Sequence, residues 1–593
     1  MSTALALWRL LDHRQRWRLV GLQLLSIVMA ICTVGGIASV VPFFTALANP
    51  DIVRHNAILQ GIFQRFQFSS ETSFLIALGA AFAGMVLLSN VVNLFGQLAI
   101  NRFAYQVGDT LYVRLFHGYL LRDYAFHLRN NSSVLATKVL HETARVISGL
   151  LQQGLLLVTN AVTILCVVAS IVLLNAPVAV AVFAGLGAIY AVIYAFARGQ
   201  LLRNGEAAGR HGAERVATVN ESLGAIKEIL LMQGRELFVQ RFAQQCRAYS
   251  RALFNIFAVS QSPRYILECV TVICLVGVAL YFRSRAGAAG PWVAQLSFVG
   301  FAAYRLLPLL HQAFASVVKI RADHPAFVSI NVDMPRLPPE ETPAPSEAEQ
   351  EMWHGRPRKE ISLHEVCFHY AANGPAALSD VSLVIPAGSV IGFIGRNGSG
   401  KTTLLDLVSG LLSPQSGCIE VDGVTLDTTN GNAWRSTIAY VPQQAFLLDA
   451  TLAENIALGV PTEQIDIARV ETAVRQACLE ECAAAFPNGL QERLGERGSR
   501  LSGGQRQRLA IARALYRDAS VLIMDEATSA LDSAAETEIV EMLNTLRSGR
   551  TILVVAHRTE SLRYCDLIVE LEGGRIVRDG TYGQILASPR ALA

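Results

Sequence analysis

The feature that most limits what this chain can become is a set of six apolar stretches, near residues 19–47, 73–100, 150–175, 177–197, 265–282 and 292–318, each with few or no charges. A helix rises about 1.5 Å per residue, so roughly 20 residues cover the roughly 30 Å of a bilayer's hydrocarbon core. Every stretch is long enough to cross. Composition agrees: 52% of the 593 residues are apolar and 16% are charged, which is too apolar for an ordinary soluble protein. The first stretch runs far beyond the short apolar region of a secretion signal and shows no cleavage-like site, so it reads as a span. The third and fourth are separated only by Asn175, Ala176 and Pro177, and because proline is favoured at the start of a helix, a tight hairpin is predicted there.

Loop charge sets the orientation. Arg9, Arg14, Arg16 and Arg18 precede the first span, and the long loops after the second and fourth spans carry Arg102, Arg114, Arg122, Arg203, Arg210, Arg215, Arg241 and Arg247. Basic loops stay on the cytoplasmic side, so both termini and both long loops are expected there. The segment 51–71 then lies outside. Its Ile58, Leu59, Ile62, Phe63 and Phe66 recur at helical spacing, which fits either a short amphipathic helix at the outer interface or a turn packed on the helix ends. A formal net charge of +3, with no concentrated basic run, gives no polynucleotide-binding signal. Ten scattered cysteines, with Cys478 and Cys482 as the one close pair and no second pair beside them, read as reduced structural thiols.

After the sixth span the pattern changes. Residues 335–351, "PRLPPEETPAPSEAEQE", are rich in proline and glutamate and lack apolar periodicity, as an extended linker does. Beyond Ile361, short β-rich runs such as "SVIGFIG" and "VLIMDEA" alternate with helical segments. The expected organisation is a membrane domain at 1–332, a linker at 333–359 and one α/β domain at 360–593.

Within that last domain, "GRNGSGKT" follows an apolar strand and precedes a helix, the context that a phosphate-binding loop requires. Its residues Gly395, Asn397, Gly398, Ser399 and Gly400 let backbone amides turn inward, Lys401 brings a mobile positive charge, and Thr402, followed by Thr403, offers a hydroxyl to Mg²⁺. The strand "VLIM" delivers Asp525 to its end, where a carboxylate can hold the magnesium shell, and Glu526 next to it can polarise an attacking water.

These motifs, with "LSGGQ" at 501–505, "SALD" at 529–532 and His557 in "VVAHR", resemble the ATP-binding cassette (ABC) superfamily across the whole C-terminal domain. With six spans on the same chain, the resemblance is to an exporter half-transporter of the type IV fold. It implies ATP and Mg²⁺ as cofactors, Gln443 of "YVPQQ" as a metal and nucleotide contact, Tyr370 as the adenine-stacking aromatic, and His557 as the switch histidine beside catalytic Glu526. Glu496 in "GERGSRLSGGQ" resembles the exporters' X-loop. The signature residues Ser502, Gly503, Gly504 and Gln505 then serve a second copy's nucleotide, which implies a homodimer. Segments 122–130 and 220–229 resemble in position the exporters' two coupling helices, with Tyr124, Phe126, Leu223 and Ile226 expected to be covered.

The stretches "SPRYILE" and "AAYRLLP", with the outer segment, resemble the bacterial lipid-linked oligosaccharide flippases of the inner membrane, implying a polyprenyl-diphosphate glycan as cargo. Arg264 and Arg305 are the candidate cavity residues, since a guanidinium fork binds phosphate oxygens in pairs. An ion pair with Glu268 competes for Arg264, and snorkelling to the inner interface competes for Arg305. Other cargoes remain open on the same architecture: a lipid A-type lipid, a drug or a peptide.

Overall fold

The computed structural model describes residues 3–48, 57–68, 70–286, 292–334, 353, 355, 357–371, 374–427, 429–527 and 549–586, apart from 557–561, with isolated positions between 538 and 547. The chain forms two compact units. One holds residues 1–122 and 130–340; the other holds residues 123–129 and 341–593. The short stretch 123–129, from the loop after the second span, therefore folds as part of the second unit.

Among the described residues the first unit is built of helices, as hydrocarbon demands of a backbone that must satisfy its own polar groups. Its principal helices are His13–Ala38, Val40–Ala48, Glu71–Leu120, Gln152–Gly224, Arg235–Ala286 and Trp292–Asp333. Among the described residues, His13–Phe44, Glu71–Leu120 and Ser132–Val172 are long and apolar enough to cross a membrane. The other three expected spans, 177–197, 265–282 and 292–318, include side chains outside the described set. Polar groups between the helices pair with one another: Asn93 Nδ2 donates to Thr33 Oγ1 at 3.0 Å, and the Ser26 and Thr159 hydroxyls meet at 2.8 Å.

Helical backbone runs unbroken through Asn175, Ala176 and Pro177, so no helix start marks the expected hairpin. The contacts nevertheless require a reversal. Arg145 Nη2 donates to Gly205 O at 3.0 Å, whereas sixty residues of straight helix would separate the two by about 90 Å. Ile171 shares a cluster with Leu306, and Tyr190 shares one with Phe314, so the chain turns back between Ile171 and Tyr190.

Arg145 sits where the helix is locally widened into π-helix, at Lys138–Glu142 and again at Val146–Leu151. The added residues re-aim the side chains of Thr143–Arg145. Arg145 reaches Asp323 Oδ1 at 2.9 Å and Glu142 Oε2 at 3.0 Å, and Lys138 and Tyr119 both donate to Asp333 Oδ2, at 2.6 and 2.7 Å. The segment after the first span contains a helix, Ala57–Arg65, whose Phe63 packs edge-on against Phe74 at 5.4 Å. Helix and packing on the span's end thus occur together.

The second unit is α/β. Its main sheet has the order β10-β9-β3-β8-β7-β6, with β3 (Val390–Ile394), β6 (Ile438–Val441), β7 (Val521–Asp525), β8 (Thr551–Val555) and β9 (Leu567–Glu572) parallel, and β10 (Arg575–Gly580) antiparallel at the edge. A second sheet, β2-β1-β4-β5, is antiparallel and contains β1 (Glu360–Phe368), β2 (Leu378–Pro386), β4 (Ser416–Val421) and β5 (Val424–Thr425). The near-continuous apolar runs of β3, β7 and β8 follow from burial on both faces.

Breaking a buried ion pair by removing one partner typically costs about 3–5 kcal/mol. Arg145→Ala leaves Asp323 and Glu142 without their guanidinium and is expected to lower the thermal midpoint of the detergent-solubilised protein by several degrees. Arg14→Ala, in a control measured alongside, is expected to leave the midpoint in place.

Candidate nucleotide site

Between β3 and the helix Lys401–Val408, the chain makes the expected phosphate loop. Gly395, Gly398 and Gly400 have φ of 143°, 81° and 103°, and a Cβ at Gly400 would lie 2.6 Å from Ala377 O. Only glycine fits that close approach. Lys401 Nζ donates to Gly395 O at 2.7 Å and to Arg396 O at 3.0 Å, so the loop is folded around its own lysine. Burial pulls the Lys401 ammonium below its ordinary range, while Glu526 and Asp525 hold it up. Ser399 Oγ is buried with no partner, an orphan hydroxyl inside a ring of amides, which fits an anionic phosphate ligand.

Asp525 ends β7 almost fully buried. Its Oδ2 accepts from Thr402 Oγ1 at 3.3 Å and from Tyr440 Oη at 3.0 Å. Burial raises this carboxyl above the usual range; the bonds from Tyr440 and Thr402 and the charge of Lys401 pull it back, and Glu526 pushes it up. Glu526 has φ of 52°, a left-handed conformation costly for a residue with a side chain, and Gln443 Nε2 donates to its Oε2. Thr402 Oγ1, Asp525 and the Gln443 carbonyl are oxygen donors of the kind a hard divalent cation takes, and Thr402 itself is exposed. Among the described residues no three His, Cys, Asp or Glu form a metal cage, so an ion here would draw its remaining ligands from phosphate and water.

Tyr370 is 43% exposed, its hydroxyl lies 2.9 Å from Thr403 Oγ1, and its ring meets Phe368 edge-on. Asn397 is exposed on the loop. Ser502 caps the helix Gly503–Arg517: its Oγ accepts from Gln505 N at 3.2 Å, while Ser502 N donates to Gln505 Oε1 at 2.8 Å. Ser502 and Gly503 are exposed and Gly504 half-buried at the helix start. Gln507 of the same helix donates to Pro442 O at 3.1 Å, beside Gln443. Both His557 and the segment 529–532 lie outside the described residues.

Comparison with known proteins decides the family. Residues 24–287 match the model "ABC transporter transmembrane region", and residues 378–529 match "ABC transporter". A protein of Ralstonia nicotianae named "ATP-dependent lipid A-core flippase" is 31% identical over 519 residues, covering 86% of this chain and 84% of that one. One of the same name from Cupriavidus metallidurans is 36% identical over 375 residues, 62% of this chain and 61% of that one. A solved structure titled "Structure of a bacterial Atm1-family ABC exporter with ATP bound" has the same fold, with a TM-score of 0.78 at 21% identity over 97% of both chains. The chain belongs to the ABC transporter family. It is an integral membrane, ATP-hydrolysing translocase.

In this ABC transporter the membrane residues picked from sequence have different surroundings. Arg264 Nε donates to Glu268 Oε1 at 2.9 Å, the intrahelical pair that competed with a cavity role. Arg305 Nη1 donates to Asn90 Oδ1 at 3.1 Å on the helix Glu71–Leu120, a partner far away in sequence. Phe301 and Tyr304, just before it on the same helix, pack on each other, and Phe82 meets Phe301 at 5.7 Å. Leu223 and Ile226, expected to be covered, are 66% and 46% exposed in this single chain, and Leu231 and Met232 extend the apolar strip. Tyr124 is also exposed, at 38%, whereas Phe126 is half-buried. The described cysteines are free, with Cys482 in the cassette core.

Two residues of the site, Tyr440 and Asp406, are marked out by no motif. Tyr440 lies two strand positions after Ile438, so alternation puts the two on one face of β6 without saying what its hydroxyl meets. Asp406, a buried acid on that helix, is raised to about 6, by burial first and by Asp525 second. A carboxyl raised above its unfolded value contributes stability that is fully present below about pH 4 and lost as pH rises through 6. Without nucleotide or magnesium, Asp406→Asn is therefore expected to raise the cassette's thermal midpoint at pH 8. The difference from wild type should vanish by pH 4, which parallel melts at the two pH values would measure.

Proposed function

We propose that this chain is a half-transporter that pairs with a second copy in a bacterial inner membrane and flips a lipid A-type glycolipid, driven by ATP with Mg²⁺. The observation that carries the lipid is the 31% identity, across 86% of the chain, to a protein named as a lipid A-core flippase. It favours a lipid A-type cargo over the polyprenyl-diphosphate glycan expected from short stretches of the membrane domain. Both cargoes join an acyl or prenyl body to a phosphorylated sugar, and the chemistry of Arg305 suits that junction: a guanidinium held by Asn90, and carried on the same helix as Phe301 and Tyr304, offers donors to phosphate.

In the cassette, Gly395, Asn397, Gly398, Ser399, Gly400, Lys401 and Thr403 cradle the phosphates, and Tyr370 stacks on the base. Thr402, Gln443 and Asp525 hold Mg²⁺, which neutralises phosphate charge when bound. Glu526 orients and polarises the attacking water, with His557 beside the γ-phosphate. Ser502, Gly503, Gly504 and Gln505 of a second copy close the site, since a helix start with free amides is an anion-binding surface. The exposed strip of Leu223, Ile226, Leu231 and Met232 is the apolar surface that such a copy would cover. Both termini and the cassette lie on the cytoplasmic side, as the basic loops suggest.

Two measurements test this. Glu526→Gln is expected to bind ATP and hold the dimer closed while hydrolysis falls about 100-fold or more, the usual contribution of a positioned base. Turnover at the wild-type rate would remove Glu526 from its role. In proteoliposomes, lipid A-core glycolipid should stimulate hydrolysis and be flipped, with Arg305→Ala slowing flipping several-fold. Stimulation by a polyprenyl-diphosphate glycan alone would restore the other cargo.

A further inference from the structure

The parallel register of β6 and β7 pairs Tyr440 with Ile523, two positions before Asp525. Residues two apart on a strand share a face, and paired residues on neighbouring strands share it too. Tyr440, Ile523 and Asp525 therefore stand on one side of the sheet, with the tyrosine ring packed against the same core cluster as Ile523. From there its hydroxyl reaches diagonally to Asp525 Oδ2 at 3.0 Å. Thr402 Oγ1 meets the same oxygen at 3.3 Å, so both described hydroxyl bonds fall on Oδ2 and together fix the plane of the carboxylate.

The loop segment that folds with this unit also lies near Tyr440. Ala125, on the helix Tyr124–Arg129, packs against the same cluster as Tyr440. Tyr124 and Asp406 are electrostatic neighbours of the Tyr440 hydroxyl, and Asp123 is a neighbour of Arg435 at the end of the short helix that leads into β6. The half-buried Tyr440 phenol thus has a helix of the loop after the second span among its neighbours and the carboxylate assigned to magnesium at the end of its hydrogen bond.

We propose that Tyr440 is a positioning residue for the divalent-cation site, holding the Asp525 carboxylate in its ligating orientation, and that the helix Tyr124–Arg129 acts on that carboxylate through it. Any displacement of the helix then reaches the cation site by one aromatic side chain, without moving the phosphate loop. The link is independent of the cargo.

The test uses the full-length protein carrying Glu526→Gln, loaded with ATP, and titrates Mn²⁺ as the probe while free Mn²⁺ is read by electron paramagnetic resonance. Tyr440→Phe keeps the ring and removes the hydroxyl. It is expected to weaken Mn²⁺ binding about 10-fold or more, the usual worth of a hydrogen bond to a charged group, while ATP binding measured in EDTA stays the same. In the wild-type background the same substitution should raise the Mg²⁺ concentration at half-maximal hydrolysis by a similar factor. Unchanged Mn²⁺ affinity, even with a lowered thermal midpoint, would reduce Tyr440 to packing and overturn the proposal. For the second half, Tyr124→Ala should weaken Mn²⁺ binding when Tyr440 is present and have little further effect in the Tyr440→Phe protein. Equal effects in both backgrounds, or none in either, would cut the helix out of the path.

Discussion

A backbone amide left unpaired in hydrocarbon costs several kcal/mol, and most of the membrane domain follows from that cost. It makes every described crossing segment a helix, and it leaves side chains to settle polar groups between helices. Asn93 with Thr33, Ser26 with Thr159 and Arg305 with Asn90 are three such settlements, each joining helices distant in sequence. The strongest is the Arg145 network, which gathers Glu142, Asp323 and the Gly205 carbonyl around one guanidinium. Two π-helical turns on either side of Arg145 cost hydrogen-bond geometry, and the ion pairs they permit offset it.

The same rule of paired polar groups arranges the cassette, where the medium is protein instead of lipid. Asp525 is buried at the end of an apolar strand, where desolvation raises its carboxyl and Tyr440, Thr402 and Lys401 oppose that rise. Its neighbour Glu526 sits in left-handed backbone, aimed away from the strand and tied by Gln443. Strain at the residue assigned to the attacking water, next to a fully packed sheet, places a reactive carboxylate on a rigid support. The exposed Thr402 and the orphan Ser399 hydroxyl complete a loop whose polar groups find their full set of partners with a phosphate.

Much of this was legible in the chain. The apolar runs announced the spans, and the phosphate loop, the acid pair and the signature announced the cassette, because each depends on residue type at fixed local spacing. The hairpin after the third span was half legible: the need to reverse was evident from joint length, but Pro177 starts no new helix in the backbone as observed. Arg305 was marked as anomalous, yet Asn90 could not be named as its partner, since 215 residues separate them. Tyr440 went unremarked for a similar reason. Nothing local distinguishes a tyrosine that packs from one whose hydroxyl reaches a neighbouring strand's carboxylate.

Sequence alone therefore determined the two kinds of domain, the nucleotide chemistry and the membrane setting, all properties of period, length and motif. Tertiary structure decided which charges are neutralised and by whom, that residues 123–129 belong with the cassette, and that the Asp525 carboxylate is shared between a helix threonine and a strand tyrosine. The physical reason is one of range. Helix formation and loop geometry are set by neighbours within a few residues, whereas the partner of a buried charge is set by which helices and strands the fold brings side by side.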